Sequence, residues 1–342
     1  MPAEVRAALL SDLPALGLEC GFDPLVELRA ASLSPAVLRD PALFIPAERA
    51  AQVLEGAAQT SGCEDLGLRL AQRRQLAHLG LSGLVLSQQP TLRAALETAE
   101  QYRHLLNEAL YTTVEEHDGQ ALVRCQLSFP DAGARQTTEL ATAAIVQLFR
   151  LILGPSWHPQ QVTFIHRAPA DLTTHRRFFG SPVSFGEFCN GFTCPAADLD
   201  RVNPAAQTAL AEQLRRLLDA LPAPQEREPM DRLRSTMILL LPLGRASLPA
   251  CAQALGTSER SLQRLLDREG TAFSTLLADL RAELAQSYLA DPRLSVGRIA
   301  EQLGYANPSA FVRWFKTRFG QPPQAWREAA FPARPERLGP GQ

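Results

Sequence analysis

The sequence holds no C-x-x-C pair, no G-x-S-x-G, H-E-x-x-H or G-x-G-x-x-G segment, and no phosphate-binding P-loop. Each absence removes a chemistry: a nucleophile elbow, a zinc protease helix, a dinucleotide or nucleotide cradle. The segment G-L-S-G at 80–83 is one residue short of the elbow spacing and reads as a turn. Its six cysteines (Cys20, Cys63, Cys125, Cys189, Cys194, Cys251) are scattered, as buried thiols are. Cys189 and Cys194 stand C-x4-C with His175 distant, which lacks zinc-site spacing, so neither metal nor cofactor is expected. The six histidines (His78, His104, His117, His158, His166, His175) are dispersed and read as packing or surface residues. Lysine is almost missing, with Lys316 alone against 33 arginines, so an arginine is not by itself a sign of an anion-binding surface. Long apolar runs are missing too. The longest, M-I-L-L-L-P-L-G at 237–244, is far below the ~20 residues a membrane helix needs. The opening M-P-A-E-V-R-A-A-L-L-S-D has no uninterrupted apolar core of a signal peptide, so a cytoplasmic chain is expected.

What is present is a chain of 342 residues, 46% hydrophobic and 20% charged, a composition that buries sizeable cores and suits two domains. The net charge of −2 hides an asymmetry. Residues 230–342 carry 15 basic and 10 acidic side chains, a balance of +5; the rest carries 34 − 15 = 19 basic and 36 − 10 = 26 acidic, a balance of −7. A basic module joined to an acidic body suggests that only one of them faces a polyanion. The Pro- and charge-rich L-P-A-P-Q-E-R-E-P, 221–229, reads as a linker, and the Pro/Gly-rich end, 331–342, as a flexible tail. These divisions predict a first domain at 1–220 and a second at 230–330.

In the first domain, R-A-A-L-E-T-A-E-Q-Y-R-H-L-L places Ala94, Ala95, Thr98, Tyr102 and Leu105 on one helical side, with Thr91 as its cap. The period then changes to two over A-L-V-R-C-Q-L-S-F, 121–129, as in a half-buried strand. T-T-E-L-A-T-A-A-I-V-Q-L-F-R-L-I-L-G is helical again and stops at Gly154. Q-V-T-F-I-H, P-V-S-F-G and G-F-T-C read as short strands, and P-A-A-Q-T-A-L-A-E-Q-L-R-R-L-L-D-A-L as a last helix. Helices with a small, mostly antiparallel sheet make an α+β domain.

The second domain is helical throughout and repeats itself. A-C-A-Q-A-L-G-T-S-E-R-S-L-Q-R-L-L-D-R-E-G, 250–270, aligns with R-I-A-E-Q-L-G-Y-A-N-P-S-A-F-V-R-W-F-K-T-R-F-G, 298–320. Ala252, Leu255 and Gly256 recur as Ala300, Leu303 and Gly304; Leu262, Arg264 and Leu266 recur as Phe311, Arg313 and Phe315. Each copy reads as helix, glycine turn, helix, with Ser258 and Asn307 as caps and Pro308 at a first helical position. That is the arrangement of a helix-turn-helix unit. At 100° per residue, Leu262, Leu265 and Leu266 share one face while Arg260, Gln263, Arg264 and Asp267 lie opposite. In the second copy Phe311, Phe315 and Phe319 turn inward; Ser309, Arg313, Lys316 and Thr317 turn outward, with Ala310 at the margin. Arginine can bond guanine bidentately, glutamine adenine, and small residues can lie on a thymine methyl. One helix over 272–291 would separate the copies by ~30 Å, close to a turn of B-DNA. Arg281, Arg293, Arg298, Arg318 and Arg327 are candidate phosphate contacts.

Residues 230–330 resemble the AraC/XylS family of bacterial transcription regulators, most closely through L-A-D-P-R-L-S-V-G-R-I-A-E-Q-L-G-Y-A-N-P-S-A-F-V-R-W-F-K-T-R-F-G-Q-P-P-Q-A-W-R. The resemblance implies base-facing roles for Arg260, Gln263 and Arg264 in the first copy and for Ser309, Ala310 and Arg313 in the second. It implies a backbone-facing role for Lys316. Leu265 departs from the pattern, standing where relatives of this type often carry another arginine. H-L-G-L-S-G-L-V-L-S-Q-Q-P-T-L-R-A-A-L-E-T-A-E-Q-Y-R-H-L-L, F-F-G-S-P-V-S-F-G and A-A-D-L-D resemble the arabinose-binding-type effector domain of one branch of that family. The expectation is a regulator that binds double-stranded promoter DNA, answers to a small-molecule effector, acts with RNA polymerase and forms a homodimer, with no membrane partner. Two other readings stay open here. A DNA repair methyltransferase can carry a similar helix-turn-helix module with a reactive cysteine, although Cys251 has no base beside it in sequence. An architectural DNA binder is the other, and the acidic body opposes it.

Overall fold

The computed structural model describes residues 3–74, 80–129, 134–220, 229–290 and 294–330. The expected linker, apart from Pro229, and the expected tail lie outside the described residues. The chain forms two compact units, Met1–Asp231 and Arg232–Gln342.

The first unit begins with strand β1 (Glu4–Arg6), a 3-10 turn (Ala7–Leu10) and helices α1 (Leu13–Cys20) and α2 (Pro24–Ala30). Strand β2 (Phe44–Pro46) pairs antiparallel with β1, Val5 opposite Ile45. Three-residue strands have too short a pattern to betray their period, and this small sheet was not anticipated. Helices α3 (Ala47–Ser61), α4 (Leu66–Arg73), α5 (Gly80–Ser87), α6 (Leu92–Gln101) and the single turn α7 (Arg103–Leu106) follow. Thr91 caps α6 by accepting a bond from the Ala94 N–H at 3.2 Å. Ala95, Thr98 and Tyr102 are buried, in line with the periodicity.

Strands β3 (Leu110–His117) and β4 (Gln120–Leu127) form a hairpin closed by Asp118-Gly119, both at positive φ. Asp-Gly is a pair that two-residue hairpins favour. Ala121, Val123, Cys125 and Leu127 alternate into the core. Helix α8 (Arg135–Leu153) crosses the unit and packs on β4, α3 and α4. Strand β5 (Gln161–Phe164), helix α9 (Thr173–Phe179), strands β6 (Val183–Phe185) and β7 (Gly191–Pro195), and helix α10 (Thr208–Asp219) complete the unit. The sheet order is β3-β4-β7-β5-β6, antiparallel except for the parallel β5–β6 pair. Phe149 of α8 sits edge-on to Phe192 of β7 at 5.0 Å and 4.8 Å from Trp157, tying helix to sheet.

The second unit is all helix: α11 (Pro229–Leu240, whose first residues fall before the division), α12 (Leu248–Ala254), α13 (Glu259–Arg268), α14 (Phe273–Ala290), α15 (Val296–Gln302), α16 (Pro308–Phe319) and α17 (Pro323–Ala330). Its own core contains Leu233, Met237, Leu241, Cys251, Leu266, Leu284, Ile299 and Phe311. Helix α12 packs on α13, α15 on α16, and α14 on both α15 and α17. Among the described residues no helix is long and apolar enough to cross a membrane.

Candidate nucleic-acid interface and effector cavity

The two repeats fold as the same device. Ser247 accepts from the Ala250 N–H at the start of α12, and Ser295 from the Arg298 N–H at the start of α15. Ser258 and Asn307 do the same for α13 and α16, accepting from Ser261 and Ala310 at 3.1 and 2.9 Å. Capped ends of this kind stabilise a helix by roughly 0.5–2 kcal/mol each. Both turns pass through a left-handed glycine, Gly256 at φ 62° and Gly304 at φ 70°. Ser247 and Ser295 escaped notice in the sequence, although a serine five residues before the repeated Ala252 and Ala300 was a signal for both.

The faces lie as phased. Leu262, Leu265 and Leu266 are buried beneath α13, and Arg260, Gln263 and Arg264 are exposed. Leu265 is buried, so this position packs rather than reaches outward. On α16, Phe311 and Phe315 are fully buried; Ser309, Arg313, Lys316 and Thr317 are exposed, and Ala310 is half-buried. Phe319 is only partly covered, tilted against Phe315 at 4.3 Å and 6.4 Å from Trp326. Tyr305 and Trp314 extend the aromatic cluster at 5.7 and 6.1 Å from Phe311.

The charged groups divide into two kinds. Among the described residues, Arg260, Arg264, Arg313 and Lys316 have no ion pair, and Gln263 donates to Asp267 on the next turn at 3.2 Å. The other cations of interest are engaged. Arg281 donates to the Leu303 carbonyl at 3.0 Å and covers Tyr305; Arg327 donates to the Leu289 and Leu294 carbonyls. Arg318 pairs with Asp279 at 2.7 Å and Arg298 with Glu301 at 3.2 Å. Arg281 and Arg327, expected as phosphate contacts, are thus held by backbone carbonyls within the domain, those of Leu303 and Leu289 at helix ends and that of Leu294 just ahead of α15. Arg293 lies outside the described residues.

The first unit holds a cavity of about 390 Å³ between the β1 region, α6, α7, β3 and α8. Leu86, Leu96, Leu140, Ile145 and Leu148 supply apolar wall. Arg6, Arg74, Arg103 and Arg150 also line it, with Glu100 as the one acid. Arg103 is bound to Glu100 at 3.1 Å and lies 3.6 Å over the Tyr111 ring. Arg150 donates to the carbonyls of Trp157, Phe178 and Phe179, and burial lowers the proton affinity of its guanidinium. No apolar stripe in the sequence distinguishes such a cavity wall from a core.

A second polar cluster lies deeper. Glu139 of α8 is fully buried, its Oε1 3.1 Å from His175 Nε2 and 3.4 Å from His166 Nε2, with Arg135 Nε at 3.9 Å. Histidines that looked dispersed are brought together by the β5 and α9 connections. Desolvation holds His166 below its ordinary value, outweighing the pull of Glu139 upward.

Four of the six thiols, Cys63, Cys125, Cys194 and Cys251, are buried. Burial pushes Cys251 up to about 11 and Cys125 and Cys194 up to about 12. Cys63 is raised well above the ordinary range, chiefly by burial and then by the Cys20 thiol 3.1 Å away and by Asp65 at 3.3 Å.

Comparison with known proteins agrees with this architecture. Over residues 251–329 the chain matches a helix-turn-helix domain family. It is 29% identical over 326 residues to the HTH-type transcriptional regulator VirS of Mycobacterium tuberculosis, covering 94% of this chain and 96% of that protein. It is 29% identical over 334 residues to the ornithine utilization regulator of Pseudomonas aeruginosa, covering 96% of each. A looser likeness, at a TM-score of 0.41 and 21% identity over 89% of this chain and 96% of the other, is to the crystal structure of the transcriptional regulator CdpR from Pseudomonas aeruginosa. Residues 21–203, more than half of the chain, match the arabinose-binding domain at the N-terminus of the AraC transcription regulator, and the chain is accordingly a transcriptional regulator of the AraC family.

Proposed function

We propose that this regulator reads promoter DNA with the outward faces of α13 and α16 while a small molecule in the first-unit cavity sets its affinity for the operator. Arg260, Gln263 and Arg264 from one helix and Ser309, Ala310 and Arg313 from the other contact base edges. Lys316 holds the phosphate backbone. The observation that carries this reading is the exposure of these side chains on the outward faces of two helices built alike, α13 and α16. Arg260, Arg264, Arg313 and Lys316 are exposed with no ion pair among the described residues, as are Arg245 and Arg268, whereas Arg281, Arg298, Arg318 and Arg327 are engaged by carboxylates or carbonyls. Helix α14, with 18 residues and a length of ~27 Å, joins the two helix-turn-helix repeats, and that length is near one turn of B-DNA.

The high proton affinity of the buried thiols favours regulation over a cysteine-based repair reaction, which needs a thiolate. The protein acts in the cytoplasm, as a homodimer and in contact with RNA polymerase. Leu210 and Leu217, seven residues apart and exposed on α10, favour a second copy as partner. Effector control requires only that the ligand bind the DNA-competent and DNA-incompetent states unequally. The relative that carries ornithine in its name makes ornithine one compound to try, although four arginines around the cavity disfavour a cationic side chain.

The test is Arg313→Ala measured on the selected operator and on random DNA. A loss of ~1–3 kcal/mol confined to the operator, with relaxed preference at one base, is expected. Equal losses on both DNAs would remove Arg313 from base reading.

A further inference from the structure

Two thiols of the first unit touch. Cys20, the last residue of α1, donates its S–H to Cys63 Sγ at 3.1 Å. Cys63, in the connection between α3 and α4, donates in turn to Asp65 Oδ1 at 3.3 Å. Among the described residues this is the one thiol–thiol hydrogen bond, and both cysteines are free. Asp65 is held from two further sides, accepting from Arg69 Nε at 2.8 Å and from Thr174 Oγ1 of α9 at 2.5 Å. The two sulfurs differ in access: Cys20 is half-buried and Cys63 is buried. Burial keeps Cys63 protonated and slow toward solutes. An oxidant arriving from water therefore meets Cys20 first, with Cys63 directly behind it.

The surroundings let the sulfurs close. An S–S bond needs ~2.05 Å, so the gap must shrink by roughly 1 Å. Each cysteine borders a left-handed glycine, Gly21 at φ 79° after α1 and Gly62 at φ 69° after α3. Neither has anything within 4 Å of where a Cβ would stand, so both joints can turn without moving the helices. Helix α1 already packs on α4, and Glu19, beside Cys20, pairs with Arg73 at the far end of α4. The thiol contact thus joins helices held side by side, through residues 43 positions apart in the chain.

We propose that Cys20 and Cys63 form a redox modification site, at which a peroxide oxidises Cys20 and Cys63 converts the product into a disulfide clasping α1 to the head of α4. In the first step the Cys20 sulfur attacks one peroxide oxygen and the O–O bond breaks. One hydroxyl stays on sulfur as a sulfenic acid; the other leaves as water with the thiol proton. In the second step the Cys63 sulfur attacks the Cys20 sulfur, the S–S bond forms and the S–O bond breaks. The departing hydroxyl becomes a second water with the Cys63 proton, which is released where Asp65 already accepts a hydrogen bond from that thiol. Two thiols together lose two electrons, and one peroxide is reduced to two waters. A reducing compartment returns the pair to thiols, as it does other transient disulfides. Closing the loop restricts the unfolded chain and so stabilises the first unit. The inference goes beyond the readings of the cavity and of α13 and α16, and it depends on neither.

The experiment treats reduced full-length protein with a small molar excess of hydrogen peroxide, blocks the remaining thiols under denaturing conditions and maps the peptides by mass. Titratable thiols should fall from six by two, to four, with one intrachain linkage between Cys20 and Cys63 that dithiothreitol reverses. The melting temperature should rise by about 4 °C or more on oxidation and return on reduction. In Cys63→Ser, dimedone should trap a sulfenic acid on Cys20. In Cys20→Ser, Cys63 should remain a thiol at the peroxide dose that links the unaltered protein. If Cys63→Ser does not fold, the linkage map and Cys20→Ser decide. The proposal is overturned by the absence of a linkage between Cys20 and Cys63, or by linkage between chains in its place. A dimedone adduct on Cys63 in Cys20→Ser, or a linked protein that melts no higher than the reduced one, would overturn it equally.

Discussion

His166 is an imidazole held largely out of water inside the first unit. Its ring is stacked at 5.0 Å on Phe164 and faces Glu139 Oε1, with His175 and Arg135 around the same carboxylate. Burial depresses its folded-state pKa, while in the unfolded chain it takes up a proton near 6.5. Below about 6.5 the unfolded state therefore binds more protons, and stability falls as pH drops toward the lower folded value. Above that window His166 is neutral in both states and contributes no pH dependence. We expect the melting temperature of the protein to decline from pH 7 to pH 5, and His166→Gln to flatten that slope. A variant with the unaltered slope would place the acid sensitivity elsewhere, His104 being the next group whose burial has the same sign.

At the scale of elements, the two glycine turns look interchangeable in sequence and are not in the fold. Gly256 is left-handed but open, with nothing within 4 Å of where a Cβ would project. Gly304 is left-handed too and, in addition, has the Leu241 carbonyl 2.5 Å from that position. An alanine at 256 should cost only the left-handed penalty, about 1–2 kcal/mol. Alanine at 304 should cost that and the displacement of backbone at the end of α11, so its denaturation midpoint should fall distinctly further. Equal midpoints for the two variants would mean that the close approach is soft. This contrast shows how far sequence reaches. Repeated Ala-x-x-Leu-Gly spacing, the caps at Ser258 and Asn307, and the inward phase of Phe311 and Phe315 were legible because each is local to a turn of helix. The β1–β2 pair, the capture of Arg281 and Arg327 by distant carbonyls, and the Glu139 cluster were not, since they join positions separated by tens of residues. Nothing in an amphipathic pattern records which of two buried stripes meets a void.

The whole molecule divides its labour by charge as well as by fold. The C-terminal portion carries +5 and has a core of its own, while the remainder carries −7. A fragment of residues 230–342 should fold and bind duplex DNA at low salt, with affinity falling steeply as salt rises through counterion release. It should bind more weakly than the full chain if the first unit holds two copies together. A folded fragment that leaves DNA unshifted at low salt would count against assigning DNA contact to this portion. The matched arabinose-binding-type region, residues 21–203, contains the cavity's central helix α8 whole, and the AraC-type architecture was legible in advance because its motifs are contiguous.

Lys316 is exposed on α16 and is the only lysine in the chain. Apart from the amino terminus, acylating reagents thus have one target, and nature has placed that tag on the helix assigned to the promoter. The rate at which a labelling ester modifies it becomes an intrinsic footprint. Slowing on addition of operator would report occupancy of that helix, and recovery on addition of a ligand would time its release.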